Sequence, residues 1–417
     1  MVIANSHRAG VAHDRNIRMT PLLSGIRVID LTSVIMGPFA TFQLGALGAD
    51  VIKVEPPEGE AVRHIAPARN PGMGAMFLNV NRDKRSLVLD LKRPEAQAVL
   101  DRVIATADVL VHNMRRPAAR RLGVDPETLC PKHPRLIHCA AIGFGKDGVY
   151  ADDGAYDDVV QGLSGFAAVN ARADGAPRYV PQIVVDKISG LFIVEGVLAA
   201  LLHRERSGRA LAFEVPMMEC ATHFLLTEHL GGRIFEPPLG PPGYKRLLNP
   251  YRRPYPTRDG FIAVLPYAPK HWVRFMEIVG RGDIAAEPWF GDPVARSERI
   301  HQLCQVIDEA MPARTTAEWL ELLRAADIPC GPINTLEDLF DEPHLASSGF
   351  FRTEEHPTEG PLRVTRHPLD FTGIDEQASR PAPRLGEHNR DILTEAGLSA
   401  AEIEALEAAG VLGGEGE

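Results

Sequence analysis

Cysteine is scarce in this 417-residue chain, and the five present, at positions 130, 139, 220, 304 and 330, form neither a CxxC pair nor an even framework. That pattern argues against a disulfide-stapled fold and a structural zinc site, and it suits a reducing compartment, with the cytoplasm as the expected address. Positive charge is also in deficit: 45 Lys and Arg against 55 Asp and Glu leave a formal net charge of −10, which speaks against nucleic-acid binding as the main role. No apolar run reaches the roughly 18 to 20 residues of a membrane span, because Glu195 interrupts the longest one. HExxH, GxSxG and paired Cys/His spacings are missing, so metalloprotease, serine-hydrolase and metal-site readings have no support. Residues 1–20 lack the apolar centre of a signal peptide and are expected to be a disordered leader.

Alternation of strand-like and helix-like stretches fills most of the rest. Gly25 to Leu31 (GIRVIDL) reads as a strand, Gly37 and Pro38 lead into a helix over Phe39 to Leu47, Gly48 stops it, and Val51 to Val54 is the next strand. Pro in a first helical turn and Gly just past a last one fit their usual places. A second unit follows, with Ser86 to Leu91 as strand, a helix opened by Pro94 and carrying Val99, Leu100, Val103 and Ile104 on one side, and Val109 to Val111 as strand. Leu136 to Ile142 is a third strand-like run. This spacing predicts an α/β fold with a doubly wound parallel sheet, whose ligands gather beyond the carboxyl ends of the strands. The turn after the first strand lacks G-x-G-x-x-G, so a dinucleotide site is not expected. A Pro- and Gly-rich stretch from Glu236 to Pro256 separates this region from a smaller one, in which Phe261 to Leu265 reads as strand and Lys270 to Val279, His301 to Ala310 and a Thr-capped Thr316 to Ala325 read as helices. Ser399 with Glu402 forms a capping box before a last helix that Gly410 ends.

The chain is organised around Tyr179 to Arg209. Ile183, Val184 and Val185 read as a buried extended segment, Asp186 follows, and Ile188 to Leu202 is apolar on nearly every face and too long for a strand. Two roles for Asp186 stand side by side. It suits a helix N-cap, its carboxylate satisfying first-turn N–H groups. A carboxylate held at a strand end and a helix N-terminus equally suits a nucleophile or base. Elsewhere, Arg115, Arg116, Arg120 and Arg121 directly follow the strand that ends at His112 and Asn113, with Lys84, Arg85 and Lys92 as further candidates, and read either as phosphate ligands or as a solvated face. Gly143 to Gly145 and the turn Gly154, Ala155, Tyr156, Asp157, Asp158 either join elements or bring backbone N–H groups and the Tyr156 hydroxyl to a reacting carbonyl, with Asp157 and Asp158 suited to capping the next helix.

Beyond these patterns, LLSGIRVIDLTSVIMGPFATFQLGALGADVIKVEPP, NRDKRSLVLDLKRPEA, DVLVHN, RLGV, AAIGFG, VVDKISG with LLHRERSGR, IPCGPINTLED and LGEHNRDIL resemble, in order from about Pro21 to Leu412, the class III coenzyme A transferases. The resemblance implies a large CoA-binding Rossmann-like domain from residues 21–215 and 350–417, linkers and a small α/β domain within 216–349, and an interlocked homodimer. It places the catalytic aspartate at Asp186, with Tyr156 beside the acyl group. It puts CoA contacts at Val34, Leu89, Lys92, Asn113, Met114, Arg121 and Leu122, with Lys92 and Arg121 on phosphates. The implied reaction moves CoA from an acyl-CoA to a carboxylic acid through a mixed anhydride and an aspartyl-CoA thioester; CoA is substrate, and no tightly bound cofactor or metal is needed.

Departures bear on the substrate. Formyl-CoA transferases carry Gln where Ile35 stands, a basic residue where Pro56 stands, and a glycine-run lid that Gly240 to Gly243 does not reproduce. Ile35 and Met36 point to a more apolar acyl group. The rival readings are an α-methylacyl-CoA racemase, which needs a His where Tyr156 stands, and a non-catalytic CoA-thioester-binding protein.

Overall fold

A computed structural model describes residues 21–171, 175–374 and 379–413; the expected leader, 1–20, lies outside them. Six strands, β1 (Arg27–Leu31), β2 (Asp50–Glu55), β3 (Lys84–Val88), β4 (Val109–His112), β5 (Ile137–Ile142) and β6 (Ala212–Pro216), form one sheet in the order β3-β2-β1-β4-β5-β6. All neighbours are parallel, with Val28 level with Val51 on one side and Val109 on the other. Five of these strands are buried almost end to end, as expected where helices cover both faces. The chain runs outward from β1 to β2 and β3, then returns to β4 on the opposite side of β1. That reversal opens a crevice at the carboxyl ends of β1 and β4.

The expected extended segment Ile183 to Val185 is not a strand. Val184 and Val185 are the first two residues of a 24-residue helix, Val184–Ser207, and Ile183 is its N-cap. A short β-branched apolar run reads alike as a buried strand or a buried helical turn, and periodicity does not separate them. The sixth strand comes instead from Ala212–Pro216, after the helix. The helix ends as its sequence suggests: Gly208 adopts φ +72°, and Arg204 in the last turn pairs with Asp108 at 2.7 Å.

The long helix packs on the helix Met36–Ala46 through a glycine. A Cβ at Gly190 would lie 2.9 Å from the Met36 carbonyl oxygen and 2.8 Å from Phe39 Cδ1, so the two backbones approach only because that side chain is absent. Gly190→Ala is expected to lower stability by about 1–3 kcal/mol, read as a lower denaturation midpoint with unchanged slope, because one contact atom is rigid backbone.

The described chain divides into two compact units, one built from residues 21–160, 183–220 and 352–413, the other from 161–182 and 221–351. The first holds the parallel sheet and a core in which Ile392 and Leu393, from the C-terminal region, join Ile29, Leu87, Leu100 and Leu110. The second has an antiparallel sheet of Tyr255–Pro256, Phe261–Val264 and Cys330–Pro332 over a core containing Trp272, Phe275, Leu303 and Trp319. Thr315 and Glu318 form the capping box of its helix Thr316–Ala325. No helix among the described residues is long and apolar enough to cross a membrane.

Candidate active site

Asp186 occupies the third position of its helix, where a first-turn carboxylate commonly caps. Here the capping is done from elsewhere. The Asp157 carboxylate oxygen Oδ1 accepts the N–H of Val185 at 2.7 Å and of Asp186 at 3.0 Å, while Ile183 offers no side-chain cap. Asp157, 29 residues away, therefore takes the duty that local pattern assigns to Asp186 or to the helix Asp157–Ser164. The Asp186 carboxyl is only 9% exposed, and burial first, then the Asp157 charge, pushes it up to about 7. The positive end of the helix opposes that rise and favours the ionised form. The result is a carboxylate that is poorly solvated and partly protonated at neutral pH, hence more reactive than a surface aspartate.

This carboxylate lines a cavity of about 100 Å³ beyond the carboxyl ends of β1, β4 and β5. Val34, Asn113, Met114 and Tyr156, all singled out in the sequence, line the same cavity, and Tyr156 is 72% exposed. Asn113 is held in place by both ends of its amide: Nδ2 donates to the Ser33 carbonyl at 2.8 Å and Oδ1 accepts the Ser33 N–H at 3.1 Å. The other expected contacts lie outside the cavity wall. Leu89 is fully buried in the apolar core, and Leu122 packs against that core partly buried. Lys92 and Arg121 are exposed, and their side chains bond to no described residue.

Three of the candidate phosphate ligands are spent inside the fold. Lys84 is wholly buried and donates to Asp30, the Pro38 carbonyl and Asn81 at 2.8–3.0 Å, which uses all three ammonium protons. Arg85 pairs with Asp50 and Glu395. Arg116 pairs with Glu214 at 2.9 Å and donates to the Ala151 carbonyl. Charge in a sequence does not show whether its partner is phosphate or a carboxylate from a distant strand.

Buried charges also shape the cavity floor. Val34 is a β-branched residue at φ +71°, a conformation that costs on the order of 1–3 kcal/mol. Its N–H donates to Glu60 Oε2 at 2.8 Å, Glu60 pairs with Lys53 at 2.7 Å, and Lys53 donates to the Thr32 carbonyl at 3.0 Å. Asp30 accepts from Thr32, Thr41 and Lys84. This network fixes residues 32–34, of which Ser33 and Val34 line the cavity together with Asp186. No cysteine lines it, and burial raises the thiols of Cys139 and Cys220. Among the described residues no group of three His, Cys, Asp or Glu could hold a metal ion.

The profile of CoA-transferase family III matches residues 23–389. The chain belongs to that family. It is 34% identical over 389 residues to a succinate–glutarate CoA-transferase of Agrobacterium fabrum, covering 90% of this chain and 96% of that protein. It is 31% identical over 424 residues to a formyl-CoA:oxalate CoA-transferase of Streptomyces avermitilis, covering 94% and 100%. A crystal structure of Rv3272 from Mycobacterium tuberculosis superposes with a TM-score of 0.77 at 30% identity, over 89% of this chain and 99% of that one. As a family III member, the chain is a CoA-transferase acting on CoA thioesters. What sequence reasoning missed in the site is the Asp157 cap, the Glu60 prop under Val34 and Met217 in the cavity wall. The first two are hydrogen bonds between distant segments, and no local pattern signals them.

Proposed function

We propose that this transferase moves CoA from an acyl-CoA thioester to a carboxylic acid through covalent chemistry on Asp186. The observation that carries the proposal is an aspartate at a helix N-terminus, released from capping by Asp157 and lining a cavity at the sheet's switch point. In the first step an Asp186 oxygen attacks the thioester carbonyl, the C–S bond breaks, and CoA leaves as thiolate with a mixed anhydride behind. The thiolate then attacks the Asp186 carbonyl of that anhydride, expelling the donor acid as carboxylate and leaving an aspartyl-CoA thioester. The acceptor carboxylate attacks this thioester, and the thiolate released takes the new acyl group, regenerating Asp186. Water must be kept from both anhydrides.

Val34, Asn113 and Met114 then border the thioester, and the exposed Lys92 and Arg121 meet the phosphates, with the partly buried Leu122 next to Arg121; Leu89, enclosed in the apolar core, makes no such contact. Tyr156 stands beside the acyl group. Because Tyr156 occupies the position where a racemase needs a His base, α-proton exchange lacks its second partner. A homodimer is part of the reading: Leu191, Leu198 and Leu202 are exposed along one face of the long helix, and a second copy would cover them.

Incubation with acyl-CoAs, hydroxylamine trapping and peptide mass spectrometry tests the assignment. An acyl or CoA adduct at Asp186 is the expected result; α-proton exchange without any adduct would overturn it. The ionised carboxylate is the nucleophile, so single-turnover acylation is expected to rise with pH through about 7. Asp157→Asn keeps an oxygen for the two N–H groups and removes the negative charge that helps to raise the Asp186 carboxyl, so it should shift this rise to lower pH.

A further inference from the structure

A second cavity, of about 560 Å³, opens against the same sheet next to the edge strand β6. Its volume is that of a small-molecule site, and it shares only Arg116 and Ile142 with the cavity that holds Asp186. His138, Ala140 and Ile142 alternate along β5 and so share the face that lines it, with His112 of β4 beside them.

The two histidines are almost wholly buried, and burial lowers both imidazoles, His112 to about 3, so they stay uncharged near neutral pH. Their tautomers follow from their bonds. His112 Nδ1 accepts the Met114 N–H at 3.3 Å, which leaves the proton on Nε2. His138 Nε2 donates to the Val124 carbonyl at 2.8 Å, which leaves Nδ1 as an acceptor. The rings meet edge-on at 5.1 Å, and neither remaining nitrogen has a partner among the described residues. The floor therefore carries one unmet donor beside one unmet acceptor, and a single hydroxyl satisfies both because it accepts and donates.

The mouth differs in charge. Arg120 and Lys146 are exposed, and their side chains bond to no described residue. Of the acids in the lining, Asp125 caps Thr128 and Glu214 pairs with Arg116, so Glu127 is left to offset two cations. That balance favours an anionic head. Between floor and mouth, Ala119, Ala140 and Ala212 present small apolar side chains that leave room for a hydrocarbon chain.

We propose that this cavity is a second, non-catalytic site for an amphiphilic carboxylate that carries a hydroxyl at its far end. The carboxylate meets Arg120 and Lys146, the chain runs along the alanines, and the hydroxyl accepts from His112 Nε2 and donates to His138 Nδ1.

The test titrates the ω-hydroxy derivatives of hexanoate, octanoate and decanoate into the full-length protein by calorimetry, with desulfo-CoA at saturation. The parent acids and the corresponding α,ω-diols serve as controls. The best-fitting hydroxy acid should bind about tenfold or more tighter than its parent acid or its diol. Lys146→Gln, at an exposed position, should weaken it by about tenfold, and His138→Phe should abolish its advantage over the parent acid. Neither residue lines the Asp186 cavity, so acids bound there would not respond to either variant. Absence of binding, equal affinity for the hydroxy acid and its two controls, or an affinity unchanged in Lys146→Gln overturns the proposal. So does a hydroxyl advantage that persists in His138→Phe.

Discussion

Asp186→Asn is expected to reduce CoA transfer by more than about 10⁴-fold and, at the same time, to make the protein more stable above neutral pH. The first effect follows because an amide does not form the anhydride. The second follows from the raised carboxyl. In the unfolded chain this group titrates at its ordinary value of 3.8, whereas in the fold it titrates at about 7. Between those values the folded state holds a proton that the unfolded state has lost, so stability falls as pH rises from about 4 to about 7 and then levels. Asn carries no such charge and escapes the penalty, which is at most about 4 kcal/mol and is reduced by the helix N-terminus. Urea denaturation at pH 5 and pH 8 reads it directly: the variant's midpoint should exceed wild type at pH 8 and match it near pH 4 to 5. Desulfo-CoA affinity should be nearly intact. Substantial residual transfer, or a midpoint below wild type at pH 8, would sink the assignment of this buried carboxylate as nucleophile.

Asp30→Ala is expected to cost about 3–5 kcal/mol, because removing one partner strands the wholly buried Lys84 ammonium among apolar strands. Lys84, Lys53 and the Thr32 and Thr41 hydroxyls hold the Asp30 carboxyl well below the usual carboxylate range despite its burial. The stability it contributes is therefore present above about pH 4 and is lost as pH falls below that value. Replacing Lys84 by Met in the same chain should recover part of the loss, since the stranded charge goes with it. Guanidinium titrations of the two single variants and the double variant give the coupling. A loss under about 1 kcal/mol for Asp30→Ala would show that the network contributes little. Because the network also props Val34 through Lys53 and Glu60, Asp30→Ala should weaken transfer as well as folding.

Much of the architecture is legible in the chain. β-Branched runs spaced by amphipathic stretches, with Pro94 opening one helix and Gly208 closing another, lead to the parallel sheet that is observed. The Thr cap before Thr316 and the capping box at Ser399 form as the sequence suggests. These features are local, so their energetics lie within a few residues of one another. Asp186 too stands out in the chain, as the acid where a short apolar run meets a long apolar helix, and Tyr156 stands in a marked turn, whereas Val34, Asn113 and Met114 are singled out only by the family resemblance.

What the sequence determined by itself is thus where five of the six sheet strands, the caps at Thr315 and Ser399 and the acid lie, because backbone propensity and apolar periodicity act over one or two turns. Tertiary structure alone decided the state of that acid. Asp157 takes over the cap, burial raises the carboxyl to about 7, and Lys84 and Arg85, which look like phosphate ligands, are consumed by Asp30, Asp50 and Glu395. Desolvation and charge pairing depend on which distant segments meet in a low-dielectric interior, and that partnership is set only when the sheet closes around its crevice.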